Sequence, residues 1–228
     1  MKYMAIAFCA LAGMSMAPAS AATITNGFTF AVASGCGDTS AGNHFHSSTG
    51  GDFGNPAGRA EVGSFGGADC EEVRGLSEYD LAGLGAAASA FVTFDVDLLG
   101  GLFPGDNDFL YTGMIDIFAY QGNNAEDVSD YQAASTGFVG SFSTAGLSIG
   151  DTLSFDITTI FNTAIAAMDN SLGIMLRIAD APNGGAITFL DFRLTTDDQT
   201  SAVPIPAAAL MFPLGIAALR MARKKKAA

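Results

Sequence analysis

Along Ala90–Leu98 the residues Phe91, Thr93, Asp95 and Asp97 alternate with Val92, Phe94, Val96 and Leu98. Successive side chains of a strand point to opposite faces, whereas a helix would scatter the second set around its axis. The stretch is predicted to be a half-buried strand with one polar face. Leu110–Tyr120 follows the same rule, with Ile115, Ile117 and Ala119 opposite Met114, Asp116, Phe118 and Tyr120. Thr23–Ala33, Arg59–Phe65, Gly137–Phe142, Thr152–Ile157, Leu172–Ile178 and Ala186–Leu194 extend the series. Turn formers separate them: Gly100-Gly101, Pro104-Gly105-Asp106-Asn107, Gly122-Asn123-Asn124, Gly150-Asp151 and Pro182-Asn183-Gly184-Gly185.

Thr159–Met168 is the one segment with helical spacing, placing Ile160, Ala164 and Ala167 on one face. Glu71–Gly85 carries mixed signals, among them a helical turn. Residues 34–58 are rich in Gly, Ser, Asn and Asp without any period, and read as a long loop. Many short strands with Gly-rich turns predict an all-β fold, an antiparallel β-sandwich of jelly-roll type with one short helix, over residues 22–197. No internal repeat points to a solenoid or propeller.

Both ends differ from this domain. Met1 and Lys2 precede an apolar stretch, Met4–Met16, and Ala19-Ser20-Ala21 offers the small residues that signal peptidase accepts. Residues 1–21 are therefore expected to be a signal peptide. After a polar linker, 198–202, residues 203–228 combine two prolines, an apolar run and a basic end of Arg220, Arg223, Lys224, Lys225 and Lys226. The run Ile205–Leu219 falls short of the about 20 apolar residues that span a bilayer core as a helix. The cationic end would stay on the cytoplasmic side, with the domain outside. A transient membrane stop during export, a lasting tail anchor and a basic tip on a soluble tail are the open readings.

The motif Val203-Pro204-Ile205-Pro206-Ala207, followed by the hydrophobic segment and the basic cluster, resembles the bacterial PEP-CTERM sorting signal, in its VPLPA-type variant. Ile205 stands where that pattern has Leu. The resemblance implies recognition of the tail by exosortase, a membrane protease-transpeptidase, and delivery to the cell surface or extracellular matrix. It covers the tail and implies an address, because the cargo domains of that family are diverse. Leu147–Asp156, the helix and Leu172–Arg177 loosely resemble secreted jelly-roll modules often linked to carbohydrate binding. Fold alone does not give function.

Between the two terminal signals the chain keeps only Arg59, Arg74, Arg177 and Arg193 as basic residues, has no lysine, and carries all 23 acidic residues. The formal balance, 4 − 23, is −19. Such a domain repels nucleic acid, whose binding rests on cationic side chains displacing counterions. It stays soluble and attracts cations.

Cys36 and Cys70 remain after signal removal, and an exported setting favours pairing them. Free thiols or a metal pair are the alternatives, although two Cys without neighbouring ligands do not make a zinc site. Gly146-Leu147-Ser148-Ile149-Gly150 has the letters of a nucleophile elbow, but His44 and His46 precede Ser148, against the order that the α/β-hydrolase triad requires. The stretch reads as a turn between strands. His44 and His46 flank Phe45 and share one side of an extended segment, where Asp38 or Asp52 would add a third ligand for a transition metal; solvated loop histidines are the alternative.

No cofactor is called for beyond calcium, for which Asp106, Asp108 and Asp191 are the candidate oxygen ligands. Turn-forming Asp explains the same residues without an ion. Tyr111, Tyr120 and Tyr131 are candidate platforms for a sugar. No catalytic carboxylate pair can be nominated among the acidic residues. The expectation is a non-enzymatic, exported cell-surface or matrix protein associated with exopolysaccharide or biofilm. Its partners would be signal peptidase and exosortase during export, the membrane before processing, and an extracellular polysaccharide. A carbohydrate-binding module and a secreted glycan hydrolase or lyase are the alternatives.

Overall fold

The structure, a computed structural model, describes residues 23–51, 54–65, 70–180 and 184–198. The expected signal peptide, most of the linker, and the sorting tail lie outside these residues. Among the described residues no helix is long and apolar enough to cross a membrane.

Eleven strands run in chain order: β1 Thr23–Asn26, β2 Phe28–Gly35, β3 Asp38–Ser47, β4 Ala60–Phe65, β5 Glu71–Asp80, β6 Ala87–Leu98, β7 Met114–Gln121, β8 Ser135–Ser143, β9 Thr152–Asp156, β10 Ser171–Ile178 and β11 Gly185–Asp198. A helix, α1 Thr158–Ala167, links β9 to β10, and a 3₁₀ turn spans Val128–Gln132. Every named strand pair is antiparallel. The path β8-β7-β10-β5-β4-β11-β6-β9 folds back on itself, and its two end strands approach each other. The fold is an antiparallel β-sandwich, nearly closed like a barrel, as the alternating pattern requires.

β5 makes the corner. Its start pairs with β4 and its remainder with β10, while β2 follows much of its length. β4 in turn leads to β11 and so to the second layer. Between the layers lies the main core, built from Val92, Phe94 and Val96 of β6, Ile115 and Ile117 of β7, Leu172, Ile174 and Leu176 of β10, and Phe189, Phe192 and Leu194 of β11. Phe94 is at its centre, stacked on Phe192 with ring centroids 4.6 Å apart and edge-on to Phe189 at 5.2 Å. A second cluster, with Phe30, Leu76, Tyr120, Tyr131 and Met175, covers the outer face of β2, β5 and β10.

Four expectations need correction. The loop expected over 34–58 contains the end of β2 and all of β3, which pair as a hairpin across Cys36-Gly37. β3 carries no apolar period because half of its residues are exposed and only His46 and Ser47 are buried. Glu71–Asp80 is a strand, although Val73, Leu76 and Tyr79 stand three apart like one helix face. Each of the three enters a different apolar cluster, since β5 is covered on both sides. Leu98, expected inside, is 38% exposed. β11 runs through Asp198, where the linker was expected to begin.

Gly42 shows why β3 could be so polar and still be fixed. A Cβ there would lie 2.0 Å from the Val128 carbonyl oxygen and 2.8 Å from Tyr131 Cβ. The 3₁₀ turn therefore packs directly on the strand backbone, and the Gln132 side chain accepts the Gly42 N–H at 2.9 Å.

Candidate functional site

The hairpin of β2 and β3 brings His44 and His46 to the same side of one strand, with ring centroids 5.3 Å apart. The disulfide Cys36–Cys70 ties the tip of this hairpin to the residue before β5. The next residue, Glu71, is thereby placed against both imidazoles. Its Oε2 lies 3.7 Å from His44 Nε2 and 3.5 Å from His46 Nε2, and this buried oxygen has no hydrogen-bond partner.

Support comes from behind. His46, 1% exposed, has its Nδ1 3.1 Å from Oε2 of Glu61, a β4 residue with no exposed surface. The Asn107 side-chain amide donates to the other Glu61 oxygen, while the Asn107 side-chain oxygen accepts the Phe103 N–H at 3.2 Å. Phe65 and Phe103 close on the His46 ring edge-to-face, with centroids 5.5 and 4.6 Å away. Burial of a glutamate in such surroundings is costly unless its oxygens are paired, and Glu61 has both engaged. On the outer side, His44 Nδ1 lies 3.2 Å from the Asn43 side-chain oxygen.

The sequence placed the two histidines together but not their partners. Asp38 does not join them; it is exposed and accepts from the Ser40 N–H and hydroxyl. Asp52 lies outside the described residues. Glu61 and Glu71 come from other strands, and nothing in their neighbours along the chain marks them. Asn107 offered a signal of a kind, as the middle residue of the turn read for calcium. It is the buried one of the three, while Asp106 and Asp108 point outward.

Asp106, Asp108 and Asp191 are not brought together: among the described residues they form no group with ligand atoms within 4.8 Å of one another. Asp191 instead sits at an irregularity of β11, with φ of 53°. Tyr111, Tyr120 and Tyr131 are no sugar platforms either, being at most 1% exposed. The Tyr131 hydroxyl donates to the Thr39 carbonyl, and the Arg74 guanidinium lies over its ring at 3.9 Å. Ser148 is in the exposed turn between β8 and β9, its N–H donating to Asp151, as a turn residue and not a nucleophile elbow would.

Two further features bear on chemistry. A cavity of about 410 Å³ is lined by Phe28, Thr29, Thr49, Asp191 and Arg193 among others, open to solvent and half polar. Beside the second cluster, burial and then the charge of Glu78 push the Asp130 carboxyl up to about 7. Asp95 is held below the usual range by the two-pronged contact with Arg193, at 3.0 and 3.1 Å.

Fold and site together define a class by architecture alone: an acidic, disulfide-stapled β-sandwich with a partly buried His–Glu cluster at the hairpin edge. No protein-family profile matches the chain, and no curated protein matches it.

Proposed function

We propose that the protein is an exported, surface-sorted, non-enzymatic component of an extracellular polysaccharide or biofilm matrix. The observation that carries this reading is the ordered tail, Val203-Pro204-Ile205-Pro206-Ala207 followed by an apolar run and Arg223, Lys224, Lys225 and Lys226, in a chain that also opens with a signal-like segment. The disulfide and the lysine-free, acidic composition between these ends support it, because both suit an oxidising, ionic exterior. In this reading signal peptidase removes the leader, and an exosortase-type enzyme handles the tail. Replacing Pro204 and Pro206 by Ala should trap the protein in the membrane fraction of its host. Unchanged delivery to the surface by that variant would refute the sorting role.

A second reading, that the sandwich itself retains a glycan, rests on the cavity beside Phe28, where Thr29, Thr49, Asp191 and Arg193 offer polar groups around one apolar wall. Retention of the exported protein on immobilised neutral or acidic polysaccharide, weakened by Thr49→Ala, is the expected result. Free passage over every such column would count against it.

A further inference from the structure

We propose that His44, His46 and Glu71 bind one divalent transition-metal ion of the zinc type, with Glu61 and Asn107 holding His46 in place from behind. His46 Nδ1 faces the Glu61 carboxylate and His44 Nδ1 faces the Asn43 carbonyl oxygen, both acceptors. A proton on each Nδ1 satisfies these contacts and leaves the Nε2 lone pairs pointing away from them. Both Nε2 atoms lie within 4 Å of the same Glu71 oxygen, at 3.7 Å from His44 and 3.5 Å from His46. Two nitrogen lone pairs and a carboxylate oxygen thus converge on one spot, which is unfavourable unless a cation stands among them.

The spacing selects a metal over protons. A charge-assisted bond from an imidazolium to a carboxylate draws the heavy atoms to about 2.7–2.9 Å. Here the separations are 3.5 and 3.7 Å, and Glu71 Oε2 makes no hydrogen bond. Metal–ligand bonds of about 2.0–2.2 Å in a tetrahedral arrangement set neighbouring donors about 3.3–3.5 Å apart. The two contacts of Glu71 are close to that edge length, and all three candidate ligand atoms lie within 4.8 Å of one another.

The surroundings have the form that such sites need. A ligating histidine commonly passes its other N–H to a carboxylate, which fixes the ring and raises its basicity. His46 and Glu61 provide this pair, and Asn107 anchors the carboxylate in turn. His44, with its side chain 30% exposed, keeps the site open to an incoming ion. Two imidazoles and one carboxylate suit zinc and its first-row neighbours, whereas calcium prefers a set of oxygens. Cys36 and Cys70 lie close by but are consumed by their disulfide, so they act as a staple that positions Glu71 and not as ligands.

The test uses the exported protein purified from its host, stripped with chelator and titrated with Zn²⁺ alone while calcium is present in large excess. One ion per chain is expected, resisting competition by calcium. Cobalt as a spectroscopic substitute should give the intense visible bands of a low-coordinate site. His44→Ala and Glu71→Gln should each weaken binding at least about 10-fold, and Glu61→Gln, as a positioning change, by about 10-fold. His44 is the safer first substitution because it is partly exposed; circular dichroism would establish that each variant is folded. Absence of saturable Zn²⁺ binding by the folded protein would overturn the proposal. So would binding that calcium abolishes, or that His44→Ala and Glu71→Gln leave unchanged, since the ion would then rest on the acidic surface.

Discussion

Asp130 works against the fold when it ionises. Its carboxyl is pushed up to about 7 by burial and by Glu78, while an unfolded chain would release that proton near pH 4. Between about pH 4 and 7 the folded state therefore holds more protons than the unfolded one, and stability must fall as pH rises through that window. The loss is expected to be on the order of 2 kcal/mol, given that Asp130 is only 6% exposed. Urea unfolding at about pH 4.5 and 7.5 checks it. Asp130→Asn keeps an acceptor for the Asp127 N–H and should remove this decline; an unchanged difference between wild type and variant at the two pH values would show the account of Asp130 wrong. Asp95 has the opposite sign, its pairing with Arg193 adding stability that is lost as pH falls through its lowered range. In the core, Phe94→Ala removes a ring packed on Phe142, Phe155, Phe189 and Phe192 and should cost about 3–5 kcal/mol in the same assay. At this scale the sequence showed that Val92, Phe94 and Val96 of β6 and Ile115, Ile117 and Ala119 of β7 face inward, because alternation along one strand reports the face directly; it failed at Leu98, where β6 ends. It did not show that Tyr111, Tyr120 and Tyr131 are buried, since a tyrosine serves equally well as core or as platform.

Elements with an apolar alternation or a continuous apolar run were legible, and those whose apolar residues keep another spacing, or are nearly missing, were not. β6, β7, β9 and β10 have apolar runs or alternation bounded by Gly-rich turns, and their positions follow from that pattern. β5 is covered on both faces, so Val73, Leu76 and Tyr79 serve three clusters and imitate a helical spacing. β3 is an edge strand held by backbone pairing, by Gly42 against the 3₁₀ turn and by the disulfide, none of which writes a hydrophobic period. The His–Glu cluster was half visible for the same reason: one strand carries the histidines, but their partners arrive from β4 and β5 through tertiary pairing. Two outcomes follow for the hairpin. Gly42→Val should loosen β3 and the Val128–Gln132 turn, seen as faster amide exchange confined to these segments, because its side chain has no room. Exchange unaltered there would mean the close approach is not a constraint. Cys36→Ser with Cys70→Ser should lower stability by about 3–4 kcal/mol through the freed loop between them. A loss near zero would mean that the hairpin is held by its strand pairing alone.

At the scale of the whole chain, residues 22–202 carry charge almost wholly of one sign. Arg59 pairs with Asp97, Arg74 with Glu72, Arg193 with Asp95, and Arg177 lies over the Phe118 ring, so each of the domain's four cations is already engaged with a neighbour. The remaining carboxylates repel one another across the surface. Raising the salt concentration from low to physiological and above should therefore raise the Tm, by screening that repulsion. A Tm that falls with added salt would show the ion pairs outweigh it. A stable acidic sandwich with few cations to lose suits the exterior destination proposed for this chain. The most direct test of that destination is the intact mass of the protein recovered from membrane, surface and medium fractions of its own host. The expected product is a chain starting near Ala22, with the Cys36–Cys70 bridge intact, ending between Val203 and Ala207 or bearing an added group there, in the surface or medium fraction. A mass that still includes Lys226, found only in the membrane fraction, would contradict it and make the tail a permanent anchor.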